Sequence, residues 1–217
     1  MKVIFKAGDP MSRFSTLPVL LIAVAACGGD QAMDQAASSE MDVDSGDRLE
    51  CYLARGTMAE AAERPSPLRE TEFSVGGHDG LLCYGAPSAR GRDIMGGLVV
   101  YGQPERVGAD EPTTIHLSGP ASVGGVDLDA GSYSIYAIPA EDEWQFFINS
   151  NWQRWGVPID ESVRASEVGV FSAQPEQIDE FVETLTYSFV PTADNTMGDV
   201  VLQWENTQVK FHVHPGA

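Results

Sequence analysis

The chain has 217 residues, with 13 Lys+Arg against 32 Asp+Glu and a formal net charge of −19. A nucleic-acid binder needs clustered cations that displace counterions from phosphates; this composition repels a phosphate backbone, so nucleic acid is excluded as a partner. With 43% hydrophobic and 9% aromatic residues, the chain is too apolar for global disorder and long enough for one domain with its own core.

In chain order, the first feature is the only long apolar run, residues 17–26 (LPVLLIAVAA), preceded by Lys2, Lys6 and Arg13 and closed by Cys27. It is shorter than the about 20 apolar residues of a membrane-crossing helix and fits the core of an export signal. Val24-Ala25-Ala26-Cys27 resembles a bacterial lipobox. Residues 1–26 are therefore expected to be a lipoprotein signal peptide, and Cys27 the mature N-terminus carrying a diacylglyceryl group. An ordinary signal peptide that happens to contain a Cys is the alternative. Asp9 and Pro10 interrupt the basic leader, whereas Met11-Ser12-Arg13 begins a compact one, which favours Met11 as the start. Gly28, rather than Asp, follows the Cys. By resemblance to the sorting rule of enteric bacteria, that places the protein in the bacterial cell envelope, anchored to the outer membrane and facing the periplasm. Its expected partners are the lipid bilayer and an envelope ligand or protein.

Residues 27–50 form the lipidated Cys and a tether with seven acids, one Arg and no apolar pattern able to bury a face. Export to an oxidising compartment leaves Cys51 and Cys83 either bridged or as two buried free thiols. A bridge closes a loop of about 32 residues and contributes about 3 to 4 kcal/mol.

Residues 51–217 are expected to form the folded domain. A short helix is predicted over 56–63, ended by Pro65 and Pro67. Beyond it, short Val, Ile, Thr, Tyr, Phe and Trp-rich segments alternate with Gly, Pro, Asn and Asp clusters. This texture predicts an all-β fold, an antiparallel, jelly-roll-like β-sandwich of about nine short strands with minor helix. The segments are 72–75, 80–84, 98–101, 113–117, 121–126, 132–138, 143–149, then 168–172 with 184–190, and a terminal pair. Residues 176–184 read as helix or as the entry to a strand. Period-2 alternation puts Trp144, Phe146 and Ile148 on one face and Gln145, Phe147 and Asn149 on the other. In the last strand Val209, Phe211 and Val213 point inward, His212 and His214 outward, and the polar Glu205-Asn206 is expected to turn a final hairpin.

Several separated motifs now line up: YGAPSARGR from Tyr84 to Arg92, GLVVYG from Gly97 to Gly102, RVGADEPTTI from Arg106 to Ile115, and LQWENT from Leu202 to Thr207. Together with Arg64-Pro65-Ser66-Pro67, Leu128, Ala130 to Ser134, Ile138-Pro139 and Trp144, they resemble the family of domains of unknown function numbered 2911 over about residues 64–213. That family carries no assigned activity. Members usually have a Trp just before the Arg of the third motif and an Asn where this chain has Asp110; here Pro104-Glu105 precede Arg106.

The candidate ligand site is Arg90, Arg92 and Arg106 with Glu111, since three of nine basic residues from residue 51 onward fall in this short stretch. A guanidinium fork there would grip a carboxylate or sulfate, with Tyr84 or Tyr101 alongside and Glu111 orienting an Arg. The competing reading has the arginines pinning loops through Asp110, Glu111 or backbone carbonyls. Trp152 and Trp155, in a polar loop, are candidate stacking platforms, whereas Trp144 and Trp204 read as core. His116, His212 and His214 with Glu111 are the candidate metal ligands of an alternative, a metal-dependent envelope enzyme. No hydrolase motif is present, Lys210 is the single lysine of the domain, and no cofactor is expected beyond the acyl group on Cys27. The leading reading is a lipid-anchored β-sandwich module binding a small ligand or partner.

Overall fold

The computed structural model describes residues 48–216. The expected signal peptide, Cys27 and all but the last three tether residues lie outside the described residues. One turn of helix, α1 (Met58–Ala62), is fixed by a capping box, in which the Thr57 side chain accepts from the Glu60 N–H and the Glu60 carboxylate accepts from the Thr57 N–H. Strands β1 (Leu68–Val75), β2 (His78–Gly85), β3 (Thr113–Leu117), β4 (Ala121–Val123), β5 (Val126–Leu128), β6 (Gly131–Ile138) and β7 (Trp144–Asn149) follow. A second short helix, α2 (Glu161–Arg164), precedes β8 (Glu167–Ala173), β9 (Pro175–Pro191) and β10 (Gly198–Pro215). The strands form two antiparallel sheets, one ordered β1-β2-β3-β6-β7-β8 and the other β5-β4-β10-β9. The chain is thus an antiparallel β-sandwich. No helix among the described residues is long and apolar enough to cross a membrane.

The alternation read in β7 and β10 explains how the sheets adhere. Trp144, Phe146 and Ile148 of one sheet and Val209, Phe211 and Val213 of the other belong to a single buried core. Phe146 sits at its centre, 5.2 Å from Phe171 in its own sheet and 5.5 Å from Phe211 across the gap. Aromatic contacts of this kind contribute about 0.5 to 1.5 kcal/mol each beyond the area they bury.

The central strands of the six-stranded sheet, β2, β3, β6 and β7, carry buried residues on their second face as well. Leu81, Cys83, His116, Tyr136, Phe147 and Asn149 alternate with the core residues, and all are buried. A disulfide joins Cys51 to Cys83, with Cα atoms 5.7 Å apart, and ties the segment before α1 across this face. The segment between β7 and β8 lies against the same face: Trp152 packs edge-on to His116 and Tyr52, and Arg55 lies 4.5 Å from the Trp155 ring.

Three local expectations are corrected, and the open choice at residues 176–184 is decided. Residues 98–101 form a turn, with Leu98 and Val100 outside and Val99 buried, and a single bridge between Val99 and Met95. The stretch 121–126 is two strands, because Gly124 and Gly125 both take positive φ (59° and 88°) and turn a hairpin as Gly76 and Gly77 do between β1 and β2. Residues 176–184 are strand throughout. Glu205-Asn206 turns nothing: β10 runs through it beside β9 with shifts of register, Glu205 at φ 56° and the Asn206 amide donating to the Ile178 carbonyl.

Candidate functional site

Loop residues from 87–92, 98–99 and 105–109, together with Ser66 and the strand residue Trp204, enclose a cleft of about 250 Å³. The first loop, residues 86–92, leaves β2 in one sheet and is stitched to β9 in the other. The Ala89 N–H donates to the Glu183 carbonyl at 2.7 Å, the Leu185 N–H to the Pro87 carbonyl at 2.9 Å, and the Arg90 N–H to the Glu183 carboxylate at 2.8 Å. The second loop is clamped to β6, where Glu105 and Ala137 exchange both backbone hydrogen bonds at 2.7 and 2.8 Å. Trp204 of β10 lines the cleft between them.

The next residue fixes the wall. Glu205 uses its carboxylate to accept the N–H groups of Ile94 and Met95 at 3.4 and 3.3 Å, holding the turn that carries Leu98 and Val99 against the cleft. The rim is strained. Arg90, Val107, Asp110 and Glu205 have positive φ (53°, 48°, 61° and 56°), a conformation that costs a β-branched residue such as Val107 on the order of 1 to 3 kcal/mol. Val107 is held there because its carbonyl accepts from both the Thr113 and Tyr187 hydroxyls, at 3.1 and 3.0 Å.

Arg90, Arg92 and Arg106 all line the cleft. Each spends part of its guanidinium on backbone: Arg90 on the Pro65 carbonyl, Arg92 on those of Ala89 and Ser88, and Arg106, through Nε, on that of Gly108. The ion pairs among the described residues are Arg64–Glu111, Arg164–Glu167, Lys210–Glu176 and His212–Asp199, and none involves these three. The arginines thus pin loops through backbone carbonyls, as the competing reading expects, and none of the three is ion-paired. Glu105 lines the same cleft; burial pushes its carboxyl up, opposed by the charge and backbone N–H of Arg106. Beneath lies a smaller gap of about 10 Å³, lined by Glu105 and Trp204 among apolar side chains. The Trp204 indole N–H is buried with no hydrogen-bond partner.

The remaining candidates lie elsewhere. Tyr84 is core, its hydroxyl accepting from the Tyr187 N–H at 3.1 Å. Tyr101 borders a separate recess with Glu205 and Trp144, where burial pushes its phenol up. Glu111 orients none of the cleft arginines, because it is buried against Arg64 at 2.6 Å and accepts the Ala54 N–H at 3.2 Å. Trp152 and Trp155 are half-buried under the N-terminal segment rather than offered as platforms.

The proposed metal set is not assembled. His116 sits on the outer face of the six-stranded sheet between Thr114 Oγ1 at 2.9 Å and Ser132 Oγ at 2.7 Å. His212 and His214 lie on the outer face of the other sheet, where His212 Nδ1 meets Asp199 at 2.9 Å. Among the described residues no three His, Cys, Asp or Glu side chains converge as metal ligands would. Sequence reasoning missed Trp204 and Glu105 as site residues; the LQWENT motif and the Pro104-Glu105 departure were the available signals.

The motifs that build this cleft carry a family match: residues 66–213 match the model of the family described as protein of unknown function (DUF2911). The chain belongs to that family. Neither the curated proteins nor the solved structures give a match. In this DUF2911 member the two departures from the usual pattern have different consequences. Asp110 does not line the cleft; it occupies a left-handed position that Asn and Asp tolerate best, and its carbonyl accepts the Gly156 N–H at 2.9 Å. Glu105, by contrast, lines the cleft and puts an acid into it.

Proposed function

We propose that this protein is a lipid-anchored module of the bacterial envelope that binds a small anion in the arginine cleft. The single observation that carries this reading is the grouping of Arg90, Arg92 and Arg106 around one cleft, none of them in an ion pair, in a chain of net charge −19. In so acidic a protein an unpaired guanidinium group is an attractive site for an exogenous carboxylate or sulfate, which it grips through two parallel hydrogen bonds. The rigid, strained rim supports the same reading, since its cost is met by the hydrogen bonds that fix the loops and yields a preformed cleft.

The export signal, lipobox and acidic tether support attachment through Cys27 to the outer membrane, with the domain facing the periplasm. Labelling with radioactive palmitate, lost in Cys27→Ala, tests the anchor. For binding, full-length protein purified in mild detergent is melted with and without millimolar benzoate or sulfate. At least one anion is expected to raise the melting temperature, with the shift abolished in Arg106→Ala and that variant's own melting temperature changed by only a few degrees. An anion effect that persists in Arg106→Ala would sink the assignment of the cleft.

A further inference from the structure

The cleft has two zones, and the chemistry of the inner one narrows the ligand. At the mouth, Arg106 spends only Nε on the protein, leaving its Nη1 and Nη2 edge for an anion. The same cleft is also lined by the apolar Pro87, Leu98, Val99 and Ala109. The adjoining 10 Å³ gap, which shares Val99, Glu105, Gly108 and Trp204 with the cleft, has room for about one oxygen-sized atom. A buried N–H left without an acceptor costs about 1 to 3 kcal/mol, and the Trp204 indole is such a donor. An inorganic oxyanion at the mouth leaves both the apolar wall and this donor unsatisfied. A volume of about 250 Å³ lies just below the range of drug-sized pockets, which sets the ligand at roughly the size of one ring.

Resting on the anion-binding reading above, we propose that the ligand is a ring-sized organic monocarboxylate with an oxygen opposite its carboxylate. The carboxylate takes the Arg106 fork, the apolar body lies along Val99, and the far oxygen enters the inner gap to accept the Trp204 N–H. Glu105, beside the same gap, hydrogen-bonds that oxygen when it carries a hydroxyl.

The test titrates the full-length protein with 4-hydroxybenzoate, benzoate and sulfate by calorimetry. Expected is 4-hydroxybenzoate at least tenfold tighter than benzoate, and benzoate tighter than sulfate. Trp204→Phe should remove the advantage of the hydroxyl, so that this variant binds 4-hydroxybenzoate no tighter than benzoate; Arg106→Ala should weaken both acids. Because Trp204 is part of the core, nitrogen-15 NMR of the unmutated protein supplies a second readout, in which one indole N–H resonance moves downfield with 4-hydroxybenzoate and not with benzoate. Equal affinity for the two aromatic acids, or tighter sulfate, overturns this proposal while leaving an anion site in place. If none of the three binds in an Arg106-dependent way, both this proposal and the anion-binding reading fall.

Discussion

His116 shows how a residue suited to chemistry is spent on structure. It is 3% exposed, its two ring nitrogens face hydroxyls, and burial pushes the imidazole down to about 4. An unfolded chain takes up this proton near 6.5, whereas the folded one resists it until about 4. Stability fully present above the unfolded value is therefore lost as pH falls through that window, by up to about 3 kcal/mol. His116→Gln should flatten this limb. Urea midpoints at pH 7.5 and 4.5 report it, and an unchanged difference between the two pH values in the variant would refute the assignment. Arg90, Val107 and Glu205 illustrate a second residue-scale rule: side chains forced into left-handed backbone cluster where two loops and a bulge meet at the cleft.

At the level of elements, the N-terminal segment and α1 behave as a strap across the six-stranded sheet. Its anchors are the disulfide, the Tyr52–Trp152 contact and the Arg64–Glu111 pair, whose side chains are 18% and 3% exposed. Arg64 also donates to the Arg55 carbonyl at 2.5 Å, so one guanidinium closes the strap on itself and onto the loop that leads into β3. Removing it leaves the Glu111 carboxylate buried with only the Ala54 N–H as partner. Arg64→Ala should cost about 3 kcal/mol by chemical denaturation. Glu111→Gln in the Arg64→Ala background should recover part of that loss, and no recovery would mean that the charge is not the cause.

The whole molecule is held by contact between its sheets, and Phe146 is where three aromatic rings from both sheets meet. Phe146→Ala should cost about 3 to 5 kcal/mol, more than an equivalent truncation at the half-exposed Val168. A loss below about 1 kcal/mol would show that the cavity collapses and that the sheets do not depend on this centre. The same inter-sheet contact creates the cleft: loop 86–92 from one sheet is laced to β9 of the other, and Trp204 comes from β10.

The sequence by itself determined the β class, the inward faces of β7 and β10, the outward His212 and His214, and the family. Each of these is written in local alternation or in contiguous motifs, and alternation follows directly from the two-residue period of a strand. Tertiary structure alone decided that polar residues such as His116 and Asn149 are also buried, because the strap and the segment after β7 lie over the second face of the central strands. It also decided the site. Arg90 and Arg106 were legible as a charge concentration, but Tyr84, Glu111, Trp152 and Trp155 are drawn into packing, while Glu105 and Trp204 arrive at the cleft. Loops carry no periodicity, and Trp204 reaches residues about one hundred positions earlier only through the pairing of β10 with β9 and the stitching of β9 to loop 86–92.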